Sequence, residues 1–317
     1  MKPKKQQQSK SKSFTDKSAK DSRRAKDSIS HSSQKETSWG GVAFWYDEYL
    51  KQEDTYQSKV IWPNLERIIL DVPRGVEQGG LQSPGGKAKA KLCDIACGQG
   101  HFAYLCSQKG YDVTGIDISK ELISFARQAT EKIKEEQKSK YDSKSDISVP
   151  EFHVAPSHDM SMVSTASMDI VTCVLALQNI KLLDETFQEA ARMLKKGGRF
   201  IFVLNHPSFR IPQFSDWIYD QKKQVESRTV AKYLQEATIK IDMNPGESRE
   251  IKKVYTVSFH RPLQTFIKLL AKHGYMVKKL EEWASHKRVA EGPQRDALNL
   301  AKKEIPMFMC IEAIKAV

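Results

Sequence analysis

The run Leu92-Cys93-Asp94-Ile95-Ala96-Cys97-Gly98-Gln99-Gly100-His101-Phe102 restricts what this chain can fold into more than any other stretch. Leu92–Ala96 is a short apolar run, a buried-strand signal, and it ends in a turn with two glycines two residues apart. Phe102, Leu105 and Cys106 then recur at helical spacing, and Gly110 closes the helix. Gly98 and Gly100 let the backbone bend sharply and approach a ligand closely, where a Cβ would collide. The helix start beyond them presents free N–H groups.

The same rhythm continues downstream. Tyr111–Ile118 reads as a second strand, and Ser119 caps a helix whose Leu122, Phe125, Ala126, Ala129 and Ile133 share one face. Residues 134–148 are polar and read as loop or frayed helix. Phe152–Val154 is a third strand and Ile170–Ala176 a fourth. A helix follows with Leu183, Phe187, Ala190, Ala191 and Leu194 in phase, Gly197-Gly198 stops it, and Phe200–Leu204 is a fifth strand. Strands alternating with amphipathic helices mean βαβ units, because parallel strands need a crossover. The expected fold class is therefore α/β with a mostly parallel, doubly wound sheet.

Flanking segments depart from that rhythm. Residues 1–40 carry eleven Lys/Arg against four acids, so much of the formal +12 charge belongs to them. Residues 1–37 hold almost no large apolar side chains and cannot offset the entropy of folding, so they read as a disordered basic tail. Such a tail serves either as an electrostatic arm for nucleic acid or as a solubilising extension. Residues 38–90 read as N-terminal helices (Trp39–Leu50 and Val60–Leu70) followed by a loop with five glycines. Residues 91–204 form the core. Within 205–261, Ile239, Ile241 and Met243 alternate, as do Tyr255, Val257 and Phe259, with Asn244-Pro245-Gly246 between them, which predicts an antiparallel pair outside the main sheet. This segment is expected to cover the site, with Phe209, Phe214, Trp217 and Tyr219 lining a pocket or packing the lid. Over 262–317, a helix from Pro262 to His273 precedes two final strands, Tyr275–Val277 and Met307–Ile314.

Several classes are set aside by absence. No run approaches the ~18 apolar residues that span a bilayer, and no apolar stretch of signal-peptide type follows the basic start. The five cysteines lack paired ligand spacing, so reduced thiols in a cytoplasmic protein are expected, with no metal site.

The acids carry the chemical argument. A glycine turn of this form faces a pyrophosphate in dinucleotide enzymes, with Ala103 standing where a third glycine is usual, so the turn alone leaves a nucleotide cofactor open. Asp94, just before the turn, would repel a pyrophosphate but favours a cationic amino acid moiety. Asp117 ends the second strand twenty-odd residues later, where a carboxylate accepts both hydroxyls of a ribose.

On these residues, 91–204 resemble the Rossmann-like class I methyltransferases, the group called methyltransferase domain type 11 or 25. The resemblance implies S-adenosyl-L-methionine as cofactor, with Asp94, Ala96, Gly98 and Gly100 around its methionine part. Asp117 would take the ribose, and Ile118 would lie against adenine. Ser157 and Leu177, after the third and fourth strands, and Tyr46 on an N-terminal helix complete the expected cofactor-binding set. The Lys195-Lys196-Gly197-Gly198-Arg199 turn resembles the family's loop before its fifth strand, and the last two strands its reversed hairpin in a seven-stranded sheet. One departure stands out: the acid often found after the third strand is replaced by Pro156, with Asp159 nearby.

Methyl transfer from a sulfonium demands a nucleophile at near-attack distance, and a base only if the acceptor keeps its proton. His206 is the first choice for that base, the alternative being that it anchors the loop entered at Pro207; His260 is the second, with Arg261 holding a substrate carboxylate. A small-molecule acceptor is favoured. An RNA or protein methyltransferase assisted by the tail is the alternative, although Leu177-Gln178-Asn179-Ile180 lacks the Pro-Pro-aromatic run of base amino-group enzymes. A non-catalytic cofactor-binding protein is the third reading.

Overall fold

The structure is a computed structural model that describes residues 39, 52–70, 89–140, 148–242 and 255–316. The tail, the Gly-rich loop and Tyr46 lie outside the described residues.

One seven-stranded sheet organises the chain. Its strands are β1 (Lys91–Ile95), β2 (Asp112–Asp117), β3 (Glu151–Val154), β4 (Met168–Val174), β5 (Leu194–Asn205), β10 (Tyr275–Trp283) and β11 (Phe308–Lys315). The order across it is β10-β11-β5-β4-β1-β2-β3. Strands β3, β2, β1, β4 and β5 pair in parallel, whereas β11 runs antiparallel to both β5 and β10. The chain winds outward from β1 to β3, then crosses back to β4, so strand order reverses between β1 and β4. Ligands of open α/β sheets bind outside the carboxyl ends of the strands at such a reversal.

Alternation along each strand sends side chains to two cores. Cys93 and Ile95 of β1 and Phe200, Phe202 and Leu204 of β5 face one way, while Leu92, Ile201 and Val203 face the other. The first face is covered by α4 (Leu183–Met193) and α5 (Leu263–Lys272), through Phe187, Ala190, Phe266 and Leu270. Phe187 meets the rings of Phe200 and Phe202 edge-on at 5.3 and 5.7 Å, the geometry that aromatic quadrupoles prefer. The second face is covered by α1 (Trp62–Leu70), α2 (His101–Gln108) and α3 (Lys120–Lys140). Ser119 caps α3 as its sequence predicts, its hydroxyl accepting the Leu122 N–H at 3.2 Å.

Three features differ from the sequence reading. The segment Lys195–Arg199 belongs to the strand element Leu194–Asn205 itself, with Gly197 at φ 78° and a register shift opposite it between Met168 and Ile170. The region after β5 holds two separate hairpins. The pair β8 (Ala237–Asp242) and β9 (Tyr255–His260) is the expected antiparallel pair. Strand β9, however, buries Thr256, Ser258 and His260 rather than Tyr255, Val257 and Phe259, and Met243 and the expected turn at 244–246 lie outside the described residues. The pair β6 (Ser215–Asp220) and β7 (Val225–Val230) does not follow from the expected alternation. A further helix, α6 (Arg295–Glu304), precedes β11. Among the described residues no helix is long and apolar enough to cross a membrane.

Candidate active site

The carboxyl ends of β1, β2 and β4 bring the two acids together. Asp94 of β1 stands opposite Thr172 of β4 in the parallel register, and the Thr172 hydroxyl donates to Asp94 Oδ1 at 2.7 Å. Asp94 is 2% exposed. Burial pushes its carboxyl up to about 7, the Thr172 hydrogen bond opposes that rise, and the charge of Asp117 adds to it. Asp117, at the end of β2, accepts the Gly98 N–H at 2.9 Å and the Ser119 N–H at 2.8 Å. Burial raises its carboxyl too, against the pull of those backbone donors. One carboxylate thus ties the glycine turn to the next strand, and a second lies behind it in nearly dry surroundings.

Between them the turn is wound left-handed. Ala96, Gly98 and Gly100 have φ of 54°, 57° and 79°. For Ala96 that conformation costs roughly 1–2 kcal/mol, and Leu175, at the end of β4, is held at φ 54° as well. Strained residues on neighbouring strand ends mark a site whose geometry the surroundings over-determine. The two glycines serve different ends. A Cβ on Gly100 would lie 2.3 Å from the Phe152 ring, whereas one on Gly98 would meet open space. Gly100 is therefore required by packing against Phe152 in this structure, while Gly98 borders the free volume beside Asp117.

The other expected cofactor residues divide. Ile118 leaves 46% of its surface exposed next to Asp117, an apolar face at the mouth of the turn. The Ser157 hydroxyl lies 2.9 Å from that of Thr186 on α4, which itself donates to Leu182 O, so Ser157 is tied to that helix. Leu177 is fully buried in the core, and its carbonyl accepts from Arg261; its side chain packs the fold. Pro156 is half-buried and Asp159 exposed, with Asp159 Oδ1 accepting the Ser161 N–H at 3.4 Å.

The two histidines differ in their surroundings. His206 is 3% exposed. Its Nδ1 accepts the Ser208 N–H at 3.2 Å, which leaves Nε2 to donate to Glu282 Oε1 at 2.6 Å. Both ring nitrogens are engaged, and burial lowers the imidazole below its ordinary range, against the opposing influence of Glu282. The ring thus joins the loop after β5 to Glu282 of β10. His260, the last residue of β9, has Nε2 2.8 Å from the carbonyl of Tyr233. A carbonyl only accepts, so Nε2 carries the proton and Nδ1 keeps its lone pair.

Arg261 differs from its expected role as a carboxylate holder. Its guanidinium donates to the carbonyls of Leu177, Ile180 and Lys181, at 3.4, 2.9 and 3.0 Å. It clamps β9 to the loop after β4. Beside it lies a cavity of about 40 Å³ whose polar lining comprises Gln178, Asn205, Arg210, Ser258, His260 and Arg261. Three residues near the acids and this cavity were given no role by the sequence reading. Thr172 is a plain strand threonine until the register places it opposite Asp94. Gln178, although near the strand end, and Arg210 matter because Gln178 Oε1 and Arg210 Nε are buried without partners, which no sequence pattern announces.

Several known proteins are similar to this chain in sequence or fold. A family profile described as a methyltransferase domain matches residues 93–202. YqeM of Bacillus subtilis (strain 168), which carries a provisional methyltransferase name, is 30% identical over 131 residues, 39% of this chain and 46% of that protein. The ubiquinone biosynthesis O-methyltransferase of Azoarcus sp. (strain BH72) is 23% identical over 186 residues, 55% of this chain and 74% of that one. The corresponding enzyme of Xanthomonas oryzae pv. oryzae (strain PXO99A) is 29% identical over 119 residues, 37% and 44%. The chain thus spans less than half the length of two of these three relatives. The S-adenosylmethionine-dependent methyltransferase of Mesorhizobium loti shares the fold at a TM-score of 0.55 and 20% identity, over 83% of this chain and 99% of that one. That of Clostridium acetobutylicum ATCC 824 does so at 0.50 and 14%, over 88% and 99%. Residues 93–202 of this chain thus match a methyltransferase domain model, and the chain shares the Rossmann-like fold of these solved structures.

Proposed function

We propose that the chain is an S-adenosyl-L-methionine-dependent methyltransferase that acts on a hydroxyl group of a small molecule. The observation that carries the reading is the pairing of Asp94 and Asp117 across the left-handed glycine turn at the point where strand order reverses. The residues fit the cofactor. Asp94 is a buried carboxyl in need of a cation, Asp117 keeps lone pairs for a diol, and the space beside Gly98 is open. Ile118 offers an apolar surface for a flat base.

When bound, S-adenosyl-L-methionine would supply a methyl group on a sulfonium, and the electron pair of the S–C bond would stay on sulfur as the methyl passed to the acceptor oxygen. An alcohol or phenol must release its proton as its bond to the methyl forms. His260 Nδ1 is the group to take it, because Tyr233 O fixes the tautomer that leaves this nitrogen basic. His206 has no free nitrogen for the task. His260 shares the lining of the small cavity at the ends of β4, β5 and β9 with Phe259 and Phe266, so the reacting hydroxyl of the acceptor would have to come to this end of the sheet. The relatives named as O-methyltransferases support oxygen as the methylated atom.

Incubation of the full chain with methyl-labelled cofactor and a small-molecule extract tests this reading, with total RNA and protein in parallel. Label in the small-molecule fraction, lost in His260→Ala while S-adenosylhomocysteine still binds, is the expected result. Label confined to RNA or protein contradicts it and favours the tail-assisted alternative.

A further inference from the structure

One row of residues crosses four strands of the sheet next to the glycine turn. Thr172 of β4, Asp94 of β1, Gly115 of β2 and Phe152 of β3 are successive register partners. Register partners in a parallel sheet project to one face, so the row carries a hydroxyl, a carboxyl, a gap and an aromatic ring. Phe152 fills the gap. A Cβ on Gly115 would stand 2.6 Å from its Cδ1 and Cε1, and one on Gly100 would stand 2.3 Å from its Cζ. The ring therefore lies between β2 and the last residue of the turn. The Cys97 thiol joins it, 2.9 Å from where the Gly115 Cβ would be.

The ring is itself held in place. Phe152 is buried in the second core. Its carbonyl accepts from Nε and Nη2 of Arg127 on α3, at 3.2 and 2.7 Å. Its ring meets that of Tyr104 on α2 at 5.6 Å between centroids. The turn is tied to β2 by hydrogen bonds from the Cys97 N–H to Ile116 O at 3.0 Å and from the Gly98 N–H to Asp117 at 2.9 Å. Protein interiors compress little, so a rigid ring packed between a strand and a turn holds the two apart at its own width. Ring atoms are the nearest neighbours of both glycine positions.

We propose that Phe152 is a positioning residue of the cofactor site: its ring, wedged between Gly115 and Gly100, sets where the glycine turn stands relative to Asp117, and it acts on cofactor affinity through that turn. This rests on the methyl-transfer reading above and adds a residue to the same site. A smaller or more pliant side chain leaves room under Gly100, and the Gly98 N–H is then no longer held at its distance from Asp117. A methyl group on Gly115 acts in the opposite sense, by crowding the ring and the Cys97 thiol from the β2 side. The two changes therefore compensate each other when combined.

The test is a calorimetric titration of S-adenosylhomocysteine into the full chain and its variants, each with its own melting curve. Phe152→Leu is expected to bind about fivefold or more weakly than wild type. Gly115→Ala is expected to bind more weakly as well. The double variant should bind about threefold or more tightly than Gly115→Ala alone, because Leu makes room for the added methyl. A core residue with no hold on the turn would lower the melting temperatures and leave the affinities unchanged. Should Phe152→Leu or Gly115→Ala fail to fold, Phe152→Met decides, since it nearly keeps the volume but not the flat, rigid ring; a loss of about threefold or more is expected. Affinity within about twofold of wild type in the folded Phe152 variants, or a double variant that binds no better than Gly115→Ala, overturns the proposal and leaves the methyl-transfer reading standing. Absence of binding by the folded wild type overturns both.

Discussion

Thr172 Oγ1 donates a 2.7 Å hydrogen bond to Asp94 Oδ1 between β4 and β1, where the order of the parallel strands reverses. This bond holds an acid in surroundings that would otherwise keep it protonated, and it makes Asp94 a group whose charge state sets both stability and binding.

The consequence for stability has a definite sign. The folded protein holds the Asp94 proton up to about pH 7, against an ordinary value of 3.8. Between those values the folded state binds more protons than the unfolded one, so the contribution of Asp94 to stability falls as pH rises through that window. Asp94→Asn keeps the acceptor for Thr172 and removes the charge. It is expected to be more stable than wild type at pH 8, by ~2–4 kcal/mol, and equal to it near pH 4. Urea denaturation at both pH values checks this; a variant less stable at pH 8 contradicts it. The same ionisation predicts that wild-type affinity for S-adenosylhomocysteine falls about tenfold for each pH unit below 7, and Asp94→Asn removes that dependence together with most of the binding.

The glycine turn separates folding from binding. Gly100→Ala places a Cβ 2.3 Å from the Phe152 ring at φ 79° and is expected to destabilise by ~2–4 kcal/mol. Gly98→Ala meets open space and bears only the strain of φ 57°, about 1 kcal/mol. It intrudes on the free volume beside Asp117, however, and should weaken S-adenosylhomocysteine binding at least tenfold. Thermal melts and titrations of the two variants test the pair. A ranking in which Gly98→Ala melts lower, or binds like wild type, counts against the account.

The two histidines predict opposite signatures. His206→Ala removes a buried ring that joins Ser208 to Glu282 and is expected to cost ~1–3 kcal/mol of stability. Burial holds the folded imidazole below the unfolded value near 6.5, so its contribution is complete above that pH and is lost as pH falls below it. His260→Ala is expected to lower kcat by 100-fold or more while S-adenosylhomocysteine affinity stays within twofold. Melting curves at pH 5 and 8 for the first, and single-turnover transfer for the second, distinguish them. Transfer that survives His260→Ala and vanishes in a folded His206→Ala would restore the opposite assignment.

Ala96 offers a stabilising substitution. With φ at 54°, it holds a conformation that glycine adopts without penalty. Ala96→Gly is expected to raise stability by ~0.5–1 kcal/mol, read as an increase in the urea midpoint. A decrease would mean that the Ala96 methyl, packed at the edge of the first core, contributes more than the strain removes.

The parallel half of the fold was legible because each of its strands is an apolar run bounded by a glycine or an acid, and each helix has one apolar face. Asp94 and Asp117 could be placed because they sit at or within one residue of the ends of their strands, which is a local property. The β6–β7 hairpin was not legible. Its strands, SDWIYD and VESRTV, carry no clean apolar–polar alternation, and Trp217 lies beneath the guanidinium groups of Arg210 and Arg228. The helix α6 buries little apart from Ala301, too narrow a stripe to stand out among charged residues. The surroundings of His260 and Arg261 depend on long-range partners. Tyr233 O accepts from the His260 ring 27 residues away, and Arg261 reaches the carbonyls of Ile180 and Lys181, 81 and 80 residues away.

Calorimetric titration of S-adenosylhomocysteine into the full chain, beside Asp117→Ala, tests the central claim most directly. The account predicts micromolar binding that the substitution weakens at least tenfold, about 1.4 kcal/mol. Absence of binding to the folded wild type, or equal binding by Asp117→Ala, would contradict it.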